Sequence, residues 1–135
     1  MYIQPYLFFD GRCQEALDFY VSALGAKVEM SMKFKDSPEP PQMPGVSGDN
    51  IMHSSFRIGD SVVMASDGFG KGKPVFQGIS LSLAVKSVAE ADRYFSALAK
   101  GGTIQQPLEQ TFFASSFGMV TDKFGVPWMV IAGDK

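Results

Sequence analysis

The sequence predicts an α+β fold built from two copies of one module, each consisting of a strand, a helix and three further strands. The segment EALDFY at residues 15–20 returns as EADRYF at residues 90–95, which is 75 positions later (90 minus 15). A repeat of this length, with strand-like runs at matching places around it, indicates a duplicated supersecondary unit. We therefore predict one domain over residues 1–135, with module one at about 1–70 and module two at about 75–135.

Three elements open the first module. The apolar run from Ile3 to Phe9, which ends at a turn of Asp and Gly, predicts a strand. Apolar residues then recur at helical spacing up to Gly25, which stands where a left-handed C-cap ends a helix. Over residues 27–35 apolar and polar side chains alternate, and this period of two predicts a half-exposed strand.

A segment rich in proline and glycine, residues 36–50, interrupts this module. Such a composition cannot continue a sheet ladder, so we expect a long loop of the kind that often forms a lid or a binding loop. The runs Ile51 to Ile58 and Ser61 to Ser66 then predict a hairpin that turns at Gly59 and Asp60. Residues 68–74 link this module to the next.

The second module repeats the order of the first. A strand is predicted from Phe76 to Val85, followed by a helix that begins at the capping-box pair of Ser87 and Glu90. Two successive glycines at 101–102 end this helix. Three further strand-like runs lie around residues 103–106, 112–121 and 127–132. Both halves are therefore predicted to have the order strand, helix and three strands, written βαβββ.

Composition excludes several classes of function. A formal net charge of −2 and a pI of about 5.3 give no basic face for nucleic acid, and we expect no nucleic-acid partner. No apolar run approaches the roughly 20 residues of a membrane helix, and the N-terminus lacks a signal-peptide pattern. Cys13 is the only cysteine, so we predict a buried thiol and a cytoplasmic protein.

Six motifs stand in an order and spacing that are together quite specific. They are PYLxFxG at 5–11, EALxFY at 15–20, His53, SD at 66–67, FG at 117–118 and DxFGVxW at 122–128. Over nearly the whole chain this pattern resembles the PhnB-like branch of the vicinal oxygen chelate superfamily, which includes glyoxalase I, extradiol dioxygenases, and bleomycin and fosfomycin resistance proteins. The resemblance implies the glyoxalase/bleomycin resistance fold, in which paired half-barrel sheets enclose a cavity, commonly within a homodimer.

The resemblance also raises the question of a metal. Metal-dependent members of the superfamily place His, Gln or Glu on the first and last long strands of each module. At these positions the resemblance puts Gln4 or its neighbour, Met64, Ser80 and Met129. Only Gln4 among them can serve as a ligand, whereas Zn, Fe or Mn sites require three or four nitrogen, carboxylate or thiolate donors. The sequence thus argues against a metal and other cofactors, although the single histidine, His53, is of a type that binds such ions.

Part of this branch carries the name of a demethylubiquinone methyltransferase. The sequence contains no strand, glycine-rich turn and helix suited to an adenosyl or dinucleotide cofactor, so we do not predict methyl transfer. It also shows no convincing Ser-His-Asp order for hydrolysis. Asp67 and Asp122 each adjoin a turn that contains glycine, and we predict that they cap turns.

Our leading hypothesis is a metal-free homodimer that binds a small apolar or aromatic molecule. Methionine and aromatic side chains suit such a permissive apolar cavity. The predicted ligand-binding residues are Gln4, His53, Met64, Ser80, Trp128 and Met129. One alternative is an enzyme, either a metal-dependent lyase, isomerase or dioxygenase using Gln4 and His53, or a cofactor-free proton-transfer catalyst with His53 as base. Another is a non-catalytic dimeric interaction protein whose contact is the loop at 36–50.

Overall fold

The structure is a computed structural model that describes residues 1–38, 46–70 and 72–134. It divides the chain into two compact units, Met1–Pro74 and Val75–Lys135. Each unit holds one four-stranded mixed sheet and one long helix. The predicted α+β class and the twofold strand, helix and three-strand order are therefore confirmed.

The first unit contains the first sheet. Its elements are β1 (Tyr6–Phe8), α1 (Cys13–Leu24), β2 (Lys27–Lys33), a 3-10 turn (Phe34–Asp36), β3 (Ile51–Ile58) and β4 (Ser61–Ser66). The strand order is β1-β4-β3-β2, with β1 parallel to β4 and the other neighbours antiparallel. The helix ends at Gly25 with φ 68°, and the β3–β4 hairpin turns at residues 59–60, both as predicted. Of the predicted loop at 36–50, residues 39–45 lie outside the described residues.

Strand β1 is shorter than the predicted run from Ile3 to Phe9. The side chains of Met1, Tyr2 and Ile3 are exposed, and none of them belongs to the sheet. Pro5 accepts a hydrogen bond from the backbone N–H of Met64 at 3.0 Å. Because proline has no N–H of its own, it cannot donate to the ladder in return. The regular strand consequently begins at Tyr6.

Helix α1 covers one face of the first sheet. The ring of Tyr20 stacks on Phe56 with 5.7 Å between centroids, and Cys13 Sγ lies 3.9 Å from Ser54 Oγ. Successive side chains of a strand point to opposite faces, so His53 and Ser55 of β3, which flank Ser54, lie on the other side. We call this other side the helix-free face of the first sheet.

The second unit contains the second sheet. Its elements are β5 (Leu81–Val85), α2 (Val88–Ala99), β6 (Thr103–Glu109), β7 (Ala114–Thr121) and β8 (Pro127–Asp134). The strand order β5-β8-β7-β6 matches that of the first sheet. The predicted strand from Phe76 begins later, at Leu81, because Gly78 has φ 77°, a left-handed conformation that an extended strand does not use. Strand β6 runs past the predicted end and through Pro107, which an edge strand tolerates.

Helix α2 covers one face of the second sheet. It begins as predicted, with the backbone N–H of Glu90 donating to Ser87 Oγ at 3.1 Å. Gly118 of β7 lies under the helix, because a Cβ there would stand only 2.8 Å from Phe95 Cε2. Residues of β7 and β8 in the opposite phase, including Met119 and Met129, therefore lie on the helix-free face of the second sheet. Among the residues described, no helix is long and apolar enough to cross a membrane.

Candidate functional site

A row of four side chains crosses the helix-free face of the first sheet. Tyr6 of β1 stands opposite Met64 of β4, Met64 opposite Ser55 of β3, and Ser55 opposite Met30 of β2. Residues directly opposite each other share a face, so the strand register alone brings these four together. The row is mostly apolar and polarisable, because it has two thioethers and a phenol ring around one small hydroxyl.

A second row lies beside the first and contains the only histidine. His53 of β3 stands opposite Met32 of β2, and Phe8 of β1 stands opposite Ser66 of β4. Phe8 is 47% exposed and Met30 of the first row is 42% exposed, so apolar surface of both rows is accessible to a ligand. Cavities and surfaces of this kind take apolar molecules and use a few polar groups to orient them.

Tyr6 joins the two rows through His53. The Tyr6 hydroxyl lies 2.8 Å from Nδ1 of His53, and the two rings stack with 5.5 Å between centroids. The ring of Phe8 lies 5.1 Å from that of Tyr6. Strand β4 separates β1 from β3, so the hydrogen bond spans it. The result is an aromatic platform that carries one imidazole.

The second sheet has an equivalent pair of rows. Its first row consists of Ser82, Met129, Met119 and Gln106, and its second row of Ala84, Ile131, Phe117 and Glu109. Met129 therefore occupies the register position that Met64 has in the first sheet. Phe117 occupies the position of His53, so the imidazole belongs to one module alone.

Two of the predicted ligand-binding residues lie just outside these rows. Gln4 precedes β1, and Ser80 is the residue before β5. The strand residues that stand beside Met64 and Met129 are Tyr6 and Ser82 instead. Sequence reasoning missed Tyr6 because it placed the start of the strand too early. The alternation of Tyr6 with Phe8 was the signal that could have identified it.

Trp128 does not share a face with Met129, contrary to the prediction that both line one cavity. It is 3% exposed, and its indole Nε1 donates to Asp122 Oδ2 at 2.9 Å. It stands opposite Val120, two residues from Gly118, and therefore lies on the side that α2 covers. Its position next to Met129 in the sequence is the reason, because neighbours along a strand point to opposite faces.

Asp122 has a structural role, as predicted. Its Oδ1 accepts the backbone N–H groups of Phe124 at 2.9 Å and Val126 at 3.1 Å, and its Oδ2 accepts the indole of Trp128. The carboxylate thus holds the turn before β8 closed. A carboxylate with these contacts in a buried place is a poor candidate for proton transfer.

Asp67 has a larger structural role than turn capping. Its Oδ1 accepts the backbone N–H groups of Gly11 at 2.7 Å and Cys13 at 2.8 Å, and its Oδ2 accepts that of Ile51 at 2.7 Å. The residue thereby joins the start of α1 to the start of β3 and the end of β4. A negative charge at a helix N-terminus is also favoured by the helix dipole.

The side chains at these positions do not fit a divalent metal ion. Within the part of the chain that the structure describes, no group of three or more His, Cys, Asp and Glu residues is placed to hold one. Met64 and Met129 offer thioethers, which are soft donors and unsuited to Zn, Mn or Fe(II). Burial, together with the charge of Asp67, raises the pKa of the Cys13 thiol to about 12, so Cys13 offers no thiolate.

Comparison with known proteins assigns the family. Residues 1–131 match the family model described as 3-demethylubiquinone-9 3-methyltransferase. The chain belongs to this family. Protein YjdN of Escherichia coli K12 is 38% identical to this chain over 141 residues, which cover 96% of this chain and 94% of YjdN.

Solved structures agree with the 3-demethylubiquinone-9 3-methyltransferase family assignment. Protein PA1353 of Pseudomonas aeruginosa is 46% identical, with a TM-score of 0.88 over 100% of this chain and 99% of that one. A PhnB protein of Bacillus cereus is 26% identical, with a TM-score of 0.81 over 98% and 100% of the two chains. At the level of fold alone, a glyoxylase/bleomycin resistance protein/dioxygenase domain of Frankia sp. EAN1pec has a TM-score of 0.64 at 17% identity, over 98% and 97% of the two chains. The predicted PhnB-like branch and the predicted glyoxalase/bleomycin resistance fold are confirmed.

Proposed function

We propose that this protein binds a small apolar or aromatic molecule, without a metal, on the helix-free face of the first sheet. The observation that carries the proposal is the row of Tyr6, Met64 and Met30 beside the His53 ring. Thioethers adapt their shape to a ligand at low cost, and aromatic rings supply large flat contact areas. The thioethers of Met119 and Met129 give the second sheet a similar surface.

Methyl transfer, which the family's name describes, is not what we propose. Methyl donors and dinucleotides are commonly held by free backbone N–H groups in the turn between the first strand and helix. Here the N–H groups of Gly11 and Cys13, in that turn, already donate to Asp67. A cofactor would have to displace a buried carboxylate to use them.

A metal-dependent lyase, isomerase or dioxygenase is the alternative from the same superfamily. It would need Gln4 and His53 as ligands, together with oxygen atoms of the substrate. His53 and Gln4 are only two protein donors, where such sites require three or four, and the residues beside Met64 and Met129 are a tyrosine and a serine. The donor chemistry therefore favours binding over metal catalysis, and a divalent cofactor forms no part of the proposal.

The proposal includes a homodimer in the cytoplasm. Strand β2 is an edge of the first sheet, and its Val28, outside the two rows, is 42% exposed. Apolar edge strands are usually covered by another chain or element. The cytoplasmic location is supported by the buried, unpaired thiol of Cys13. Light scattering after size exclusion tests the dimer, and a monomeric mass at micromolar concentration would contradict it.

Methyl NMR of protein labelled with [13C-methyl]methionine tests the site. A panel of aromatic and aliphatic compounds is titrated, and the signals are assigned by Met64→Leu and Met30→Leu. We expect ligands to shift the signals of Met64 and Met30. Met1 is an internal control, because it is exposed and lies before the first strand. Shifts that move Met1 as much as Met64, or that spare Met64, would overturn the proposed site.

A further inference from the structure

The Tyr6 and His53 pair sets the hydrogen-bonding character of the proposed site. Two neutral tautomers of His53 are compatible with the 2.8 Å contact between Tyr6 Oη and Nδ1. In one, the phenol donates to a bare Nδ1 and the proton of the imidazole is on Nε2. In the other, Nδ1–H donates to the phenol oxygen and Nε2 is bare. The two forms present opposite chemistry to a ligand.

Counting unsatisfied groups decides between them. Within the described chain, Tyr6 Oη and His53 Nδ1 have each other as their side-chain partner, and no contact of Nε2 is found. If Nδ1–H were the donor, both the phenol proton and Nε2 would need partners. If the phenol is the donor, only the Nε2–H group remains to be satisfied. Because unsatisfied polar groups on a half-buried surface cost free energy, the arrangement in which the phenol donates to Nδ1 is favoured.

The remaining group is accessible. No buried side-chain nitrogen or oxygen among the described residues lacks a hydrogen-bond partner. Nε2, with no partner there, must therefore lie where solvent or a ligand can reach it. Met32 stands opposite His53, the ring of Tyr6 stacks on the imidazole, and the ring of Phe8 lies against that of Tyr6. The imidazole N–H is thus a donor among apolar side chains, with the Ser55 hydroxyl of the first row as the other polar group near it.

We infer that Tyr6 fixes His53 as the Nε2–H tautomer, and that the site selects apolar or aromatic ligands that carry one hydrogen-bond acceptor, such as a carbonyl oxygen. This inference rests on the proposed function, since it names the ligand class for the same site. Tyr6 acts as a positioning residue and His53 as the contact to the ligand. In the second sheet, Phe117 at the equivalent position cannot donate at all.

Two measurements test the inference. The first is the 15N NMR spectrum of the imidazole, which is unambiguous because the chain has one histidine. Spectra are recorded at rising pH until the nitrogen signals stop changing, so that the ring is neutral. We expect a pyrrole-like Nε2 and a pyridine-like Nδ1 with widely separated shifts. In Tyr6→Phe the two signals should move toward each other as the tautomers exchange.

The second measurement compares two ligands of similar shape, 2-acetylnaphthalene and 2-isopropenylnaphthalene, by calorimetry. One hydrogen bond gives the ketone a roughly fivefold to tenfold tighter Kd. The His53→Phe variant, which copies the second sheet, should remove this preference, so that the two ligands bind it with equal Kd. Tyr6→Phe should reduce the preference, and Tyr6→Phe with His53→Phe should match His53→Phe alone.

The outcomes separate the inference from the proposed function. Equal affinities for the two probes in the wild type, or a pyrrole-like Nδ1, would overturn the inference and leave apolar binding intact. Binding of neither probe would count against the proposed function, and the nitrogen spectrum would then decide the tautomer on its own. The methionine methyl spectrum shows whether a variant is folded. His53→Gln keeps a donor at this position, so it should retain part of the preference that His53→Phe loses.

Discussion

Met64 and Met129 occupy the same register position in two separate sheets. Met64 stands opposite Tyr6 on a parallel neighbour and Ser55 on an antiparallel one, and Met129 stands opposite Ser82 and Met119 in the same way. The duplicated module thus keeps a thioether at one place while the residues around it differ. The tyrosine and the histidine distinguish the first sheet, which is why the proposed function places the ligand there.

Trp128→Phe separates packing from ligand binding. The substitution removes the indole N–H and leaves Asp122 Oδ2, in a residue 3% exposed, without that donor. The loss of one buried hydrogen bond to a carboxylate lowers the free energy of unfolding by about 1 to 3 kcal/mol. Urea unfolding followed by far-ultraviolet circular dichroism measures the loss. Because Trp128 lies on the side that α2 covers, the Kd for 2-acetylnaphthalene should change less than about twofold.

Met64→Lys is the matched comparison for this prediction. It places an ammonium group on the helix-free face and should weaken the same ligand strongly while it alters folding little. If Trp128→Phe weakened binding as much as Met64→Lys did, the indole would belong to the ligand site, and the assignment of faces given above would fail.

Asp67→Asn should destabilise the first unit. The amide can offer only one acceptor oxygen to the N–H groups of Gly11, Cys13 and Ile51, and its NH2 group must face at least one donor. Hydrogen bonds to a charged group are worth more than neutral ones, so we expect a loss of about 2 to 4 kcal/mol in the free energy of unfolding. Asp60→Asn, at the exposed hairpin turn, is the control and should change stability by less than about 0.5 kcal/mol. Equal effects of the two substitutions would contradict the role of Asp67.

Burial of Cys13 makes the free energy of unfolding depend on pH in the alkaline range. Burial, with the charge of Asp67, raises the pKa of its thiol in the folded chain to about 12 from an ordinary value of 9.0. Above pH 9 the unfolded chain loses this proton while the folded chain keeps it. The free energy of unfolding therefore falls as pH rises from 9 through 12. Between pH 9 and 10 the wild type should lose about 1 kcal/mol more than Cys13→Ser, whose hydroxyl does not titrate there.

Urea titrations at each pH measure this difference directly. Taking the difference between the two proteins removes the contribution of lysine and tyrosine residues, which titrate in both. Parallel curves for wild type and Cys13→Ser would show that the thiol ionises in the folded protein near its ordinary value. The burial of Cys13 between its own helix and β3 would then have to be reconsidered.

The fold was predictable where a signal is local. Three features depend on residues within a few positions of one another: the C-cap at Gly25, the cap at Ser87 and the hairpin turn at Gly59. The repeat at 15–20 and 90–95 was found by comparing two short segments. Each of these features was placed correctly. Element ends were placed less well, because proline at 5 and the left-handed Gly78 limit strands whose apolar character extends further.

The site was predictable only in part, because the face of a side chain depends on strand register. Met64 and Met129 could be singled out by comparing the two modules, but Trp128 was assigned to the wrong side of β8. The phase of β8 is set by its pairing with β7, where Gly118 makes room for Phe95 of α2, and a local pattern does not reveal that contact. Tyr6 was missed because the start of β1 was placed too early, and its partner His53 lies 47 positions away in the sequence.

Calorimetric titration of the purified, untagged protein with 2-acetylnaphthalene, in the presence and absence of EDTA, tests the central claim most directly. The account predicts a saturable isotherm that EDTA leaves unchanged, in protein whose metal content by mass spectrometry is far below one ion per chain. Met64→Lys should weaken that binding by at least about tenfold, because the ligand would have to desolvate a charge. Binding or turnover that appears only after Zn, Ni, Mn or Fe(II) is added, and that is lost in His53→Ala, would contradict it.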